Sequence, residues 1–215
     1  MESIKGIIKR LGSPENIATR MNSEKHITTT LNAFELLRRD LCVSSLDNTF
    51  ENFQQTQGTE KALEIMKTFT ATFSPPMVLM YGGLGSGKTY LLEAAAIELR
   101  EKGLFARVIK FERILAALRA GMKDRATPDY ETVLDNYCQA KILLIDDYGM
   151  GMKGTEWAVS IFETIIDHRY HESLPTVVTT NIELTELPPR VYSRFMDKSR
   201  AVIVLNKGKD YRQRQ

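Results

Sequence analysis

Short apolar runs alternate with segments of helical periodicity from residue 77 onward. Each run is apolar throughout rather than alternating with polar residues, which is typical of strands buried on both faces. Strands of this kind separated by helices form a parallel sheet that helices cover on both sides. We therefore predict an α/β fold with a five-stranded parallel sheet, whose strands are MVLMY (77–81), FARVIKF (105–111), KILLID (141–146), PTVVTTN (175–181) and AVIVL (201–205).

The segments around these runs predict the helices that flank the sheet. In the first of them Ala62, Met66 and Phe69 share one face, which would pack on the sheet. The prolines that follow end this helix because proline has no N–H with which to continue it. The predicted helices are residues 58–73, 89–103, 112–121, 129–140, 156–172 and 188–198.

The first fifty residues follow a different pattern. They contain clusters of Asn, Thr and Ser around one helical candidate, NAFELLRRDL (32–41). We predict that residues 1–45 form an N-terminal extension and that residues 46–215 form a single domain, which is an ordinary size for one hydrophobic core.

Composition excludes several classes of protein. Apolar residues make up 43% of the chain and charged residues 26%, which is typical of a globular protein in water. No apolar run approaches the ~20 residues of a membrane span, and the start of the chain lacks the apolar stretch of a signal peptide. Cys42 and Cys138 stand far apart with no Cys/His cluster, so we expect neither a zinc site nor a disulfide framework. We expect a cytoplasmic protein.

Positive charge is concentrated toward the C-terminus. The net charge is only +2, but residues 190–215 carry +6 and residues 41–189 carry −6. A basic end on a mildly acidic body is compatible with contact to the phosphates of a nucleotide or a nucleic acid, and equally with a solvated tail. The polar loop RAGMKDRATP (119–128) is a second candidate for contact with DNA.

A glycine-rich loop between the first strand and its helix carries the strongest chemical signal. Glycines let successive backbone N–H groups converge on phosphate oxygens, and the helix that follows adds its positive dipole end. Lys88 would reach the β- and γ-phosphates of ATP, and the Thr89 hydroxyl would hold Mg²⁺. The match to G-x-x-x-x-G-K-[ST] predicts a nucleotide site formed by Gly82, Gly83, Leu84, Gly85, Ser86, Gly87, Lys88, Thr89 and Tyr90.

Polar residues follow two other strands at the same predicted edge of the sheet. Asp146 and Asp147 come directly after the third strand, so both carboxylates would emerge beside the glycine loop. Asp146 would hold Mg²⁺, and Asp147 would orient or deprotonate the attacking water. Asn181 ends the fourth strand and could hold that water without adding negative charge, with Thr180 as a weaker candidate.

An arginine on the last predicted helix could complete the site from another subunit. Phosphoryl transfer gains roughly 10³ to 10⁵ in rate from an arginine that a neighbouring subunit delivers. Arg194, in RVYSRFMD, is the candidate for such a finger, and Arg190 is the reserve.

These motifs, in this order, resemble those of the AAA+ ATPases of the bacterial DnaC, DnaI and IstB-like group. The similarity covers residues 46–215. It is carried by YGGLGSGKTYLLEA, ILLIDDYG, IIDHRYHESLPTVVTTNIELTEL, RVYSRFMD and the closing GKDYR. The resemblance implies a P-loop (AAA+) fold, ATP and Mg²⁺ as cofactors, a homo-oligomer with active sites between subunits, and Arg194 acting in trans.

The resemblance also implies partners. Members of this group load a DnaB-type replicative helicase onto DNA, with single-stranded DNA the expected form, and grip the helicase through their N-terminal region, here residues 1–45. In the IstB branch they assist a transposase on DNA instead, which is the alternative function. A small-molecule kinase is a third reading, but the paired acids and the downstream TTN argue against it.

Two features depart from the group's pattern. Many relatives carry Glu where this chain has Asp147, and a shorter carboxylate reaches less far, which predicts slow hydrolysis or a switch-like role. The sequence also ends with GKDYRQRQ, so we expect no full lid domain. Arg212 is then the candidate for a second arginine sensor.

Overall fold

Five parallel strands form one sheet in the described part of the chain. The computed structural model describes residues 35–123, 125, 128–149 and 156–208. The sheet has the order β2–β3–β4–β1–β5, and every neighbouring pair of strands is parallel. This confirms the predicted α/β class. The strands are β1 (Met77–Tyr81), β2 (Val108–Lys110), β3 (Leu143–Tyr148), β4 (Thr176–Thr180) and β5 (Ala201–Leu205).

Helices connect the strands and cover both faces of the sheet. Residues 35–41 are also helical, and a short 3₁₀ turn at Leu184–Glu186 follows β4. None of the helices in the described ranges combines the length and the hydrophobicity that crossing a membrane requires. The helices are α1 (Glu60–Thr72), α2 (Lys88–Glu101), α3 (Phe111–Gly121), α4 (Tyr130–Gln139), α5 (Glu156–His171) and α6 (Pro189–Phe195).

The pleat of β1 divides the hydrophobic core into two layers. Val78 and Met80 of β1 pack with α1 and α2 on one face. Met77 and Leu79 point the other way and pack with the layer formed by α3, α4, α5 and α6. Successive side chains of a strand point to opposite faces, so a strand that is apolar throughout serves both layers.

Most elements differ from their predicted bounds by one or two residues at an end, and the differences in β2, β3 and α6 have structural reasons. β2 covers only three of the seven predicted residues, because it is an edge strand that pairs with β3 alone and Phe111 already begins α3. β3 runs on to Tyr148, so both aspartates lie within the strand and do not follow it. α6 ends at Phe195 instead of residue 198. The residues that follow form a turn, in which the Asp197 carboxylate accepts hydrogen bonds from the backbone N–H and the hydroxyl of Ser199.

The core extends on the N-terminal side of residue 45. Leu41 and Val43 are buried in the same layer as Ala94 and Ile97 of α2. The division of the chain at residue 45 stays a prediction, and residues 1–34 lie outside the described residues.

Arg169 is a buried arginine on α5 that contacts the C-terminal end of α4 and the start of β4. Arg169 on α5 is 0% exposed, and burial lowers its pKa to about 10, so it stays charged at neutral pH. Its Nε donates to the Thr176 hydroxyl at 2.7 Å. Its other nitrogens donate to the carbonyl oxygens of Tyr137, Cys138, Ala140 and Pro175 at 2.7–3.1 Å. The guanidinium therefore closes the C-terminal end of α4 against the start of β4.

Replacing Arg169 by methionine should lower the free energy of unfolding by about 3 kcal/mol, because buried carbonyl groups lose their donor. Denaturant titration of the folded protein measures the change. Arg113→Met is the matched control, because Arg113 is exposed on α3; it should stay within about 0.5 kcal/mol of wild type. An equal effect of the two substitutions would contradict this account of Arg169.

Candidate nucleotide site at the carboxyl edge of the sheet

The loop between β1 and α2 requires glycine at two positions. Gly82 has φ 147° and lies against the backbone oxygen of Asn206, so a Cβ atom there would collide with main chain. Gly87 has φ 94° and caps α2, with the ring of Phe53 at 3.1 Å from where a Cβ would stand. These backbone conformations are unfavourable for other residues. They turn the loop tightly into the N-terminus of α2.

The side chain of Lys88 lies inside this loop. It is 5% exposed, and its ammonium donates to the carbonyl oxygens of Gly82 at 2.8 Å and Gly83 at 2.7 Å, with the Ser86 hydroxyl at 3.3 Å. Burial lowers the pKa of Lys88 to about 8, and the negative charges of Asp147 and Asp146 oppose this shift. The loop thus surrounds a buried cation whose present partners are neutral carbonyl groups.

Thr89 and Asp146 meet beneath the loop. The Thr89 hydroxyl lies 3.1 Å from both carboxylate oxygens of Asp146. Asp146 is 1% exposed and also accepts a hydrogen bond from the Thr179 hydroxyl at 2.6 Å. Burial raises the pKa of Asp146, the hydrogen bond from Thr179 opposes that rise, and the charge of Asp147 adds to it. The pair offers one hydroxyl and one carboxylate, which are hard oxygen ligands.

Asp147 adopts a left-handed backbone conformation at the end of β3. Its φ is 56°, and the pairing with β4 is irregular between Ile145 and Tyr148. Aspartate tolerates this region better than most residues. Its backbone N–H donates to the Thr179 hydroxyl at 3.1 Å. The irregularity turns the Asp147 side chain into the cleft while Asp146 stays buried below it.

Asn181 faces the same carboxylate. Its side-chain N–H donates to Asp147 Oδ1 at 3.1 Å. Its Oδ1 is buried and has no hydrogen-bond partner within the described residues. A buried acceptor without a partner is costly, so this atom is suited to accept a hydrogen bond from a water molecule held beside Asp147.

These groups line one cleft of about 750 Å³. Of the predicted site residues, Leu84 to Tyr90, Asp147 and Asn181 line it, while Asp146 lies behind Thr89. Thr180 is buried, and its hydroxyl donates to the Tyr148 carbonyl instead. The remaining lining residues are Ser44, Asn48, Asn52, Phe53, Gln54, Thr56, Thr59, Glu93 and Lys110.

Two further parts of the site were not predicted. Thr179 touches both aspartates, and the alternation of β4 could have found it, because it lies two residues before Asn181 on the same face. The segment around Ser44 to Phe53 carries no motif of this kind. This segment lines the cleft because Ser44 and Asn48 form hydrogen bonds with Glu93, which is distant from them in the sequence.

Arg194 lies on α6 and is not among the cleft residues in the described part of the chain. It is 28% exposed and forms an ion pair with Asp167 at 2.8 Å, with its guanidinium 4.8 Å from the centre of the Tyr170 ring. Arg190 reaches the same carboxylate at 3.2 Å. A contact of Arg194 with nucleotide therefore stays a prediction that concerns another subunit.

The other predicted phosphate contacts lie only partly within the described residues. Arg212 and the basic residues beyond 208 lie outside them, as do residues 124, 126 and 127 of the polar loop.

A comparison with known protein families identifies the family of this chain. The family model of the bacterial DnaA ATPase domain matches residues 45–199. The chain belongs to this family. The match begins within the segment that lines the cleft near Ser44 and ends just before β5, so it contains all of the glycine loop, both aspartates, Asn181 and Arg194.

The curated relatives include replicative helicase loaders and an ATP-binding protein in an insertion sequence. The replicative helicase loader DnaI of Bacillus subtilis is 27% identical over 58% of this chain and 39% of its own length. The replicative helicase loader DnaC of Escherichia coli K12 is 25% identical over 71% of this chain and 62% of its own length. A putative ATP-binding protein in an insertion sequence of Mycobacterium tuberculosis is 26% identical over 62% and 53%. The chain thus spans less than two thirds of each of these relatives.

Solved structures share the fold. A structure of the replication initiator DnaA bound to AMPPCP and single-stranded DNA matches with a TM-score of 0.66 and 23% identity, over 76% of this chain and 50% of that one. A structure of the DnaC helicase loader matches with a TM-score of 0.64 and 19% identity, over 75% and 97%. The predicted resemblance to the DnaC, DnaI and IstB-like group is confirmed.

Proposed function

We propose that this chain is a cytoplasmic ATPase that loads or remodels a DnaB-type replicative helicase on DNA. One geometry supports this above all: the glycine loop, the Thr89–Asp146 pair and the Asp147–Asn181 pair meet at one cleft of a DnaA-type ATPase domain. The sequence relatives named as helicase loaders support the choice of partner.

The cleft fits a magnesium–triphosphate complex. The Lys88 ammonium already lies at the centre of the loop, where phosphate oxygens would replace the carbonyl oxygens of Gly82 and Gly83 as its partners. Thr89 would bind Mg²⁺, and Asp146 would hold it at the same point. ATP would supply the phosphoryl group that is transferred to water, and Mg²⁺ would neutralise part of the negative charge of the phosphates.

Asp147 and Asn181 would act on the attacking water. We propose that Asp147 orients or deprotonates it and that the unpartnered Oδ1 of Asn181 accepts its second hydrogen bond. Thr179 holds both aspartates and is a positioning residue. Arg194 would complete the charge stabilisation from a neighbouring subunit in a homo-oligomer.

Residues 1–45 are proposed to bind the helicase, and the assembled oligomer to bind DNA, with single-stranded DNA the expected form. The structure of DnaA carrying single-stranded DNA, in a chain of the same fold, supports that choice. If the contact is electrostatic, the affinity for DNA should fall steeply with salt concentration.

The Asp147→Asn variant should form a stable complex with the DnaB-type helicase of the same cell in the presence of ATP, because it keeps the nucleotide site but slows hydrolysis. Size-exclusion chromatography with light scattering measures the complex, and helicase activity on circular single-stranded DNA measures loading. Lys88→Ala is the control and should form no ATP-dependent complex.

Other outcomes would favour the other readings. Absence of any complex with the helicase, together with ATP-dependent filaments on duplex DNA, would favour the transposition alternative, which the insertion-sequence relative supports. Stoichiometric transfer of phosphate to a metabolite would favour a kinase.

A further inference from the structure

A buried carboxylate lies next to the phosphate loop without any part in it. Glu93 on α2 is 4% exposed and follows Thr89 by one helical turn. Within the described residues it forms no salt bridge. Its oxygens accept hydrogen bonds from the Ser44 N–H at 3.0 Å, the Ser44 hydroxyl at 2.8 Å and the Asn48 side-chain amide at 2.6 Å. Burying a carboxylate is costly unless donors satisfy it, and here every donor comes from residues 44–48.

The same face of α2 holds this segment at two further points. The ring of Phe53 packs over Gly87, the residue that caps α2. The rings of Phe53 and Tyr90 lie 5.3 Å apart. Positions 87, 90 and 93 are three residues apart and therefore share one side of the helix. Residues 44–53 thus run along the helix that begins with Lys88.

This segment forms one wall of the cleft. Ser44, Asn48 and Phe53 line it, together with Tyr90 and Glu93 of α2. The glycine loop and Asp147 line the other part. A nucleotide with its phosphates in the loop would therefore meet residues 44–53 with its sugar and base.

We infer that Glu93 is a positioning residue for nucleotide binding, which fixes residues 44–53 as the wall that the sugar and base contact. This inference rests on the proposed function of the cleft. The carboxylate orients the segment through Ser44 and Asn48, while the phosphates are held independently by the loop around Lys88. Loss of the carboxylate should therefore weaken binding of a complete nucleotide and leave binding of a bare phosphate chain intact.

The test compares two ligands in the full-length protein. Glu93→Gln places an amide N–H₂ group where the wild-type side chain accepts hydrogen bonds, so donors face donors. Its affinity for ATP should fall about tenfold, while its affinity for inorganic tripolyphosphate, which has neither sugar nor base, should stay within about twofold of wild type. Titration calorimetry measures both. Glu98→Gln is the matched control on the same helix, since Glu98 pairs with Lys102 and does not line the cleft; both affinities should be unchanged.

Asn48→Ala provides a second variant should Glu93→Gln fail to fold. It removes one of the three donors and should lower the affinity for ATP about threefold, again without affecting tripolyphosphate. In the double variant the two losses should not add, because both act through one contact. Unchanged ATP affinity in Glu93→Gln, or equal losses for ATP and tripolyphosphate, would overturn the inference while leaving the proposed function intact. A wild-type protein that binds neither ligand would overturn the proposed function itself.

Discussion

Replacing Lys88 by alanine should lower the affinity for ATP by roughly 100-fold or more, because a buried, charge-assisted contact to phosphate costs several kcal/mol when one partner is removed. The ammonium lies inside the glycine loop, where three oxygen atoms already surround it. No other lysine or arginine among the cleft residues lies within the loop, since Lys110 contacts Asp147 instead. Titration calorimetry with ATP, alongside circular dichroism to confirm folding, measures the effect.

Lys102→Ala is the matched control for this substitution. Lys102 also donates to a backbone carbonyl, that of Thr70 at 2.8 Å, but it follows the C-terminal end of α2 rather than beginning the helix. Its replacement should leave the affinity for ATP unchanged. Nucleotide binding that survives Lys88→Ala would mean that the glycine loop is only a tight turn.

Replacing Arg194 by alanine should leave ATP binding intact but lower ATP turnover roughly 10³-fold at protein concentrations where subunits associate. The reason is that Arg194 lies on α6, away from the cleft of its own subunit. In the wild-type protein, turnover per subunit should therefore rise with protein concentration. Steady-state ATPase assays over a range of concentrations measure both effects.

Mixing two inactive variants tests whether the arginine acts in trans. A subunit with Lys88→Ala still carries Arg194, and a subunit with Arg194→Ala still carries an intact glycine loop. Together they should recover measurable turnover at mixed interfaces. Arg190→Ala is the matched comparison, because Arg190 shares the helix and the same Asp167 partner. Turnover per wild-type subunit that does not depend on concentration would contradict a trans arginine.

Strand positions that depend on local pattern could be predicted from the sequence. β1 begins and ends where its apolar run does, because both of its faces are covered. The edge strand β5 does so too, because it pairs with β1 along its whole length. β2 could not be delimited in this way. Phe105 looks like a strand residue but is exposed, and the length of an edge strand depends on how far its single neighbour pairs with it.

The residues of the candidate site also differ in whether a local sequence pattern predicts them. Lys88, Thr89 and Asp146 carry a motif whose spacing implies their meeting, and the structure places them in contact or in one cleft. Glu93 and Ser44 could not be found, because a single hydrogen-bonded pair 49 residues apart leaves no periodic trace in the sequence. Thr179 could have been found, because the alternation of β4 places it, and not Thr180, on the same face as Asn181.

Asp167 is shared by Arg190 and Arg194, and this sharing affects how Arg194 could make the proposed contact with another subunit. If Arg194 moved to contact the nucleotide of a neighbouring subunit, Arg190 would stay paired with Asp167. The Asp167 carboxylate would therefore not be left without a positive partner. The nucleotide would then compete with one carboxylate for one guanidinium. A triphosphate competes better than a diphosphate, so the junction between subunits would tighten with ATP and loosen after hydrolysis.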